Sequence, residues 1–361
     1  MRDLLRRLTD TLDSGREALL CQLVETRGST PQKAGALMVV EPDGGQYGTI
    51  GGGCVEAEVK QKAVRRLGQP GAELFSFVLD HDYAWADGLI CGGRMVVLAE
   101  AFRGEEAAAY FRALRDRLES GEGFTEAIAL DPEKSGVPRV GSRVLFDADR
   151  RPFASYPSGT PADRMAARVE PLDDRPKSSL VQGVACLPSL PRVRLVIVGA
   201  GHVGEAVADL AARADFEVWV VDDRRQYANP ERFPTAARLI VGPFDETLPA
   251  LEVNGQTYAL VVTRGHGHDQ EALFHLAPTL APYVGLIGSR RKIKMIFEAL
   301  REQGVAEPDL ARVSAPVGLD IGSESVPEIA VSIVAELIAR RNLGPRGAVG
   351  NAFSGLERAP A

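Results

Sequence analysis

The sequence predicts an α/β protein in two parts, an N-terminal mixed α+β domain followed by a C-terminal Rossmann-like domain with a mostly parallel sheet. Three observations lead there. After residue 193, short β-branched apolar runs alternate with helical patterns, the rhythm of a parallel sheet with right-handed crossovers. Before residue 150, strands follow one another with turn signals between them and few helices. Between the first strand and first helix of the second part stands Gly199-Ala200-Gly201-His202-Val203-Gly204, a glycine loop in the context that gives such a loop meaning.

The elements follow in order. Leu4, Leu5, Leu8 and Leu12 recur at helical spacing and predict an opening helix. Residues 18–26 read as a strand, and 35–40 and 46–50 flank Pro42-Asp43-Gly44-Gly45 as a hairpin. Val55, Val59, Ala63 and Leu67 share a helix face, which puts Cys54 at or just before a helix N-terminus. Strands are expected over 74–79, 95–99, 127–130 and 142–146, and a helix over 105–118. In the second part, strands are expected over 195–198, 218–221, 238–241, 259–262 and 284–287. A last helix runs over 326–340, with Glu328 in its first turn and Arg340 and Arg341 at its end, a charge order that suits the helix dipole.

Seven prolines punctuate 152–191, so the expected organisation is a domain over 1–155, a Pro-rich linker over 156–191, a Rossmann-like domain over 192–345 and a tail over 346–361. Of 361 residues, 42 are Lys or Arg and 49 Asp or Glu, a formal charge of −7 without a long basic tract. This balance gives no reason to expect nucleic acid or an anionic membrane as partner. The start reads as an amphipathic helix, no apolar run approaches membrane length, and four scattered cysteines suit a reducing compartment, so a cytoplasmic location is expected.

Chemistry concentrates in the glycine loops. In the second part, Gly199, Gly201 and Gly204 permit a tight turn and close approach of a phosphate to a helix N-terminus. Asp222, ending the next strand, is placed to bind a ribose hydroxyl, while Arg224 and Arg225 suit an extra phosphate. NAD(P) is therefore one candidate ligand, and the competing account is a loop that only closes a strand–helix turn. His202, together with Arg264, His266 and His268 after another strand, could face the same crevice as metal ligands, proton carriers or anion donors. Ser289 and Arg290 follow the next strand as a further anion contact or as a solvated helix start.

In the first part, Gly51-Gly52-Gly53-Cys54 and Cys91-Gly92-Gly93 each place a thiol beside glycines. Such a thiol is either activated by main-chain donors and the helix dipole or simply buried at a tight turn. The segment 28–35, with Ser29, Thr30 and Lys33, is either an oxyanion loop or a polar turn. Cys21 reads as core, and Cys186 as incidental to the linker.

The segments 28–35, 48–56 and 91–93, then Gly199 to Gly204, Thr263-Arg264-Gly265-His266, 287–292 and 316–322, occur in series. Together they resemble the XdhC/CoxI family of xanthine dehydrogenase accessory proteins. The resemblance implies a maturation factor that binds molybdenum cofactor, protects it during sulfuration and delivers it. A cysteine desulfurase is the implied sulfur donor and a xanthine-dehydrogenase-like molybdenum hydroxylase the implied recipient. The glycine loops would hold the anionic pterin phosphate, with Cys54 and Cys91 near molybdenum and without turnover of the protein's own. A homodimer is the expected assembly. The alternatives are an NAD(P)-dependent oxidoreductase and a metal-dependent hydrolase or transferase built from His202, His266, His268 and Asp269.

Overall fold

The computed structural model describes residues 1–79 and 92–344, and the chain divides into two units, Met1–Pro191 and Arg192–Ala361. The first opens with α1 (Arg2–Asp13), β1 (Ala18–Arg27), β2 (Leu37–Val40), β3 (Gln46–Gly48), α2 (Gly53–Val64), β4 (Ala72–Val78) and β5 (Arg94–Phe102). Its strands form an antiparallel sheet of order β3-β2-β1-β5-β4. Next come α3 (Gly104–Ser120), β6 (Phe124–Ala129), the short α4 (Pro132–Ser135), β7 (Arg143–Asp147), β8 (Pro152–Tyr156), α5 (Ala162–Ala166), β9 (Ser179–Val181) and β10 (Val184–Ser189). A second antiparallel sheet has the order β8-β7-β6-β10-β9.

Strand periodicity dictates how these layers stack. On β1, Leu19, Cys21 and Leu23 point to one face and pack with Val55, Val59 and Ala63 of α2. From the opposite face, Leu20 meets α1 and α3, and Val24 meets Ile128, Ala185 and Leu187 of the second sheet. The outer face of that second sheet carries Ala127, Ala129, Val144 and Phe146 against Met165 of α5. The unit is thus helix, sheet, sheet, helix, with the sheets packed face to face.

The expected linker over 156–191 is a correction. Its residues form α5, β9 and β10, and β10 pairs with β6 along six registered positions from Val184 to Ser189. Pro188 is accommodated because β9 pairs only with Val184, Ala185 and Cys186. Beyond Cys186, β10 has a neighbour on one side only, where a missing N–H does little harm. Cys186 is accordingly a buried strand residue, and burial pushes its thiol up to about 11. Cys21 is core as expected, its thiol pushed up to about 12 by burial.

The second unit holds β11 (Arg194–Val198), α6 (His202–Arg213), β12 (Glu217–Asp222), β13 (Arg238–Val241), α7 (Phe244–Thr247), β14 (Thr257–Val261), α8 (His266–Leu276), β15 (Tyr283–Leu286), α9 (Arg290–Glu302), α10 (Glu307–Ala311), β16 (Val313–Ser314) and α11 (Val326–Leu343). Its sheet is parallel throughout, of order β13-β12-β11-β14-β15-β16. Helices α6 and α11 cover one face and α8 and α9 the other, so its central strands read as continuous apolar runs. Strand order reverses between β11 and β14, which opens a crevice at their carboxyl ends. The last helix starts on a capping box of Ser325 and Glu328. Among the described residues, no helix is long and apolar enough to cross a membrane.

Candidate functional site

In the first unit the sequence segments singled out above meet at one end of the first sheet. Gly51, Gly52 and Gly53 have φ of 137°, 73° and 63°, three successive conformations that L side chains rarely adopt. They deliver the chain into α2 with Gly52 as N-cap and Cys54 as the second helical residue. Glycine is also required by proximity. A β-carbon on Gly51 would lie 3.0 Å from Pro31, and one on Gly93 would lie 2.2 Å from the Ser29 carbonyl oxygen. One on Gly28 would lie 3.1 Å from the Gly92 carbonyl oxygen. The turn at 28–31, the glycines before Cys54 and the Gly92-Gly93 pair are therefore in close contact. Cys91 lies outside the described residues, and of Cys54 only the backbone position is described.

A residue that the sequence reading undervalued holds this end together. Glu56, in the first turn of α2, accepts hydrogen bonds from the Gly52 N–H at 3.0 Å, the Ile50 N–H at 3.1 Å and the Thr49 hydroxyl at 2.6 Å. Gln46 donates to its other oxygen. Burial works against its charge, but these four donors outweigh it and hold the carboxyl below its ordinary range. The sequence shows at Glu56 an acid suited to a helix start, not its reach back over the loop.

In the second unit Gly199 has φ of 114°, and a β-carbon there would lie 2.5 Å from the Val262 carbonyl oxygen, because β11 and β14 run side by side into the loop. Gly204 packs so close that a β-carbon would lie 2.2 Å from the Gly199 carbonyl oxygen. Gly201 is the N-cap of α6 and His202 its first residue, so the loop N–H groups belong to a helix start that lacks intrahelical acceptors.

Asp222 stands where the sequence placed it but is engaged differently. It is buried, and its Oδ2 accepts the Ala200 N–H at 2.7 Å while its Oδ1 accepts the Arg224 N–H at 3.0 Å. The Arg224 guanidinium bonds both oxygens, at 2.9 and 3.1 Å, and lies 3.8 Å from the centre of the Tyr227 ring. Burial opposes the charge, but the Arg224 side chain and the two N–H donors outweigh it and lower the carboxyl below its usual range. Arg232 completes the brace, donating to the Ala200 carbonyl at 2.8 Å while paired with Glu205 of α6.

Further along the sheet, Arg264 forms a forked pair with Asp223, at 3.2 and 2.8 Å, and sits 2.9 Å from His268 Nε2. His266 and Ser289 line one cavity of about 540 Å³ with Gly265, Arg291, Lys292 and Met295. Ser289 caps α9, accepting the Lys292 N–H at 3.3 Å, and the Lys292 ammonium pairs with the buried Asp269. Asp269 in turn accepts the Thr263 N–H and hydroxyl, at 3.2 and 2.5 Å, fixing the chain after β14. Arg290 is exposed at the first position of α9 and is not among the cavity's lining residues. Among the described residues, no group of three or more His, Cys, Asp or Glu is arranged to hold a metal ion. Of these histidines, His268 meets an arginine and His266 faces a cationic cavity.

Two braced glycine loops, one followed by cysteine and one in a parallel sheet, define a two-part α/β protein whose second unit is Rossmann-like. Family models identify the same two parts: the XdhC and CoxI family over residues 11–78 and the XdhC Rossmann domain over 195–337. The chain belongs to the XdhC and CoxI family. It is 31% identical over 339 residues to a probable xanthine dehydrogenase component of Bacillus subtilis (strain 168), covering 91% of this chain and 95% of that one. It is 24% identical to the molybdenum cofactor insertion chaperone PaoD of Escherichia coli (strain K12), covering 94% and 88% of the two chains. A solved structure described as a xanthine dehydrogenase from Bacillus halodurans shares the fold, with a TM-score of 0.75 at 24% identity over 97% of this chain and 98% of that one.

Proposed function

We propose that the protein is a molybdenum cofactor maturation chaperone, which holds the cofactor while its terminal ligand is exchanged for sulfur and then passes it to a xanthine-dehydrogenase-like molybdenum hydroxylase. A relative bearing the name of an insertion chaperone over nearly the whole length supports the reading. The observation that carries it is the contact among three segments far apart in sequence, which sets the Gly51-Gly52-Gly53 entrance against the 28–31 turn and leads straight to Cys54. The cargo is an anionic pterin phosphate with a soft, sulfur-bound metal. A helix start preceded by glycines suits an anion, and cysteine sulfur is a soft ligand suited to such a metal.

In this reading Cys54 and Cys91 contact the metal, and Gly51, Gly52, Gly53, Gly92 and Gly93 give main-chain access. In the second unit, Gly199, Gly201, His202, Gly204, Arg264, His266, Ser289 and Arg290 supply anion contacts. Asp222 braces the loop. A cysteine desulfurase is the sulfur donor, and the working assembly is a cytoplasmic homodimer.

The test is purification from a molybdate-supplied host, followed by oxidation of bound pterin to its fluorescent form and molybdenum analysis. Stoichiometric pterin and molybdenum in the wild type, with at least about a tenfold loss in Cys54→Ala at unchanged thermal midpoint, is the expected result. Wild-type protein without either component would remove the reading. The second reading, an NAD(P)-dependent oxidoreductase, draws on the strand–glycine loop–helix geometry of the second unit. Against it stands the commitment of both Asp222 oxygens to Ala200 and Arg224, which compete with a ribose hydroxyl. Saturable quenching of NADH or NADPH fluorescence, lost in Gly201→Asp, would favour it.

A further inference from the structure

The first unit's fully buried cation, Arg143, has partners in Glu126, at 3.0 Å, and in Gln22, which itself donates to Glu126. At one end of the second unit, cations stand without any. Helices α8 and α9 follow the parallel strands β14 and β15 and cover the same face of the sheet, so they run parallel and begin side by side. Their two positive dipole ends therefore add, which makes this a place for acids rather than bases. Yet the first turn of α9 holds Arg290, Arg291 and Lys292 and no acid. Lys292 is offset by Asp269, whereas Arg290 and Arg291 are exposed and, among the described residues, form no ion pair.

From those helix starts a groove runs along the seam of the two helices. The cavity of about 540 Å³ described above is also walled by Gln270, Ile296 and Ala299. Gln270 lines in addition a neighbouring cleft of about 560 Å³, with Gly267, Glu271, Phe274 and Gln303. Along α9 and its C-cap, Lys292, Met295, Ile296, Ala299 and Gln303 share one helical face, a stripe about 16 Å long by helical rise. Met295 and Phe274 on this groove are 55% and 40% exposed, large apolar side chains left uncovered. Glu271, the acid among the lining residues, stands more than a turn beyond the start of α8, 3.6 Å from His268. The groove is thus cationic at the helix starts, apolar along its floor and acidic further on.

We propose that this groove docks an amphipathic helix of a partner protein, about three turns long and antiparallel to α8 and α9. Acids in its last turn meet Arg291 and neighbouring Arg290, and its apolar stripe lies on Met295, Ile296, Ala299 and Phe274. Charge complementarity fixes both the occupant and its direction. A helix laid that way brings its negative dipole end and its acids to the unpaired cations, and its positive end toward Glu271. Methionine suits such a floor, because its unbranched side chain adapts to the shape pressed on it. The groove shares His266 and Ser289 with the anion contacts assigned above, but docking needs no cofactor and does not depend on the maturation reading.

Fluorescence anisotropy of a labelled synthetic helix titrated with the full chain tests it. The probe is an alanine–glutamine peptide of about twelve residues, with leucines at helical spacing on one face and glutamates in the last turn before a free carboxylate. Its control keeps the leucines but carries the glutamates in the first turn and an amidated end. The control is the better isolated helix, so weaker binding by it reports direction rather than helicity. Saturable binding of the probe, with the control at least about tenfold weaker, is expected. Met295→Asp and Arg291→Glu, both at exposed positions, should each weaken the probe at least about tenfold while the thermal midpoint is kept. Failure of the probe to bind, equal binding of the control, or undiminished binding by either folded variant would overturn the proposal. Sedimentation of the wild type alone offers a further way to sink it: self-association that Met295→Asp abolishes would make a second copy of this chain the occupant. Cofactor retention through Cys54 is measured separately and would survive any of these failures.

Discussion

The two glycine entrances solve one problem by different means. Before α2, three glycines in succession take left-handed or otherwise glycine-only conformations, and the acid that secures them, Glu56, comes from the helix they introduce. Before α6, the left-handed Gly199 is pressed against β14, and the securing acid, Asp222, comes from the neighbouring strand. The first loop is therefore a local construction, partly exposed and constrained chiefly by its own conformation. The second is welded into the sheet and cannot move without disturbing β12 and β14.

That contrast orders the expected mutational effects. Gly199→Ala combines a forbidden φ with a 2.5 Å approach to Val262, and should cost about 2–6 kcal/mol, the sum of strain and overpacking, read by chemical denaturation. Asp222→Asn removes a buried charge that holds Ala200 and Arg224, and should cost about 1.5–3 kcal/mol by the same measurement. Gly52→Ala meets nothing within 4 Å, so only its φ of 73° matters and the cost should be about 1–3 kcal/mol, below that of Gly199→Ala. Equal losses at Gly52 and Gly199 would break the comparison.

The smallest effect is one of pH. The carboxyl of Glu56 is lowered by its donors, so its contribution is present above the unfolded value, near 4.3 for a free glutamate, and is lost as pH falls through the folded one. Hydrogen exchange at Ile50 and Gly52 should accelerate in that acidic window. In Glu56→Gln the acceleration should be present already at neutral pH and flat below it. A wild-type profile as flat as the variant's would mean that the loop is held by something else.

Most of the second unit was legible because its strands and helices have distinct periods, and each strand that the sequence marked between 195 and 287 lies in the parallel sheet. β16 escaped notice because a two-residue strand has no period to read. The linker misreading had a different cause: Pro188 ordinarily argues against a strand, and only the shortness of β9 makes it harmless. At the candidate site, glycines and Asp222 were readable because backbone need leaves its mark on residue type. The brace on Asp222 by Arg224, the grip of Glu56 and the Asp269–Lys292 pair were not, since spacing carries no information on where a side chain turns. Still less visible was the meeting of Gln22 with Glu126, 104 residues apart.

The fully buried Arg143 has a consequence for assembly. It reaches from the second sheet to Gln22 of the first, and its Nε stands 4.0 Å from Glu100 of the first, too far for a hydrogen bond. Sliding one layer past the other by a residue would part this guanidinium from Gln22 and Glu100 and leave it with Glu126 of its own sheet, a loss that apolar surfaces alone would not impose. The sandwich therefore has a single seating, keyed by one cation, while its apolar contacts would tolerate several.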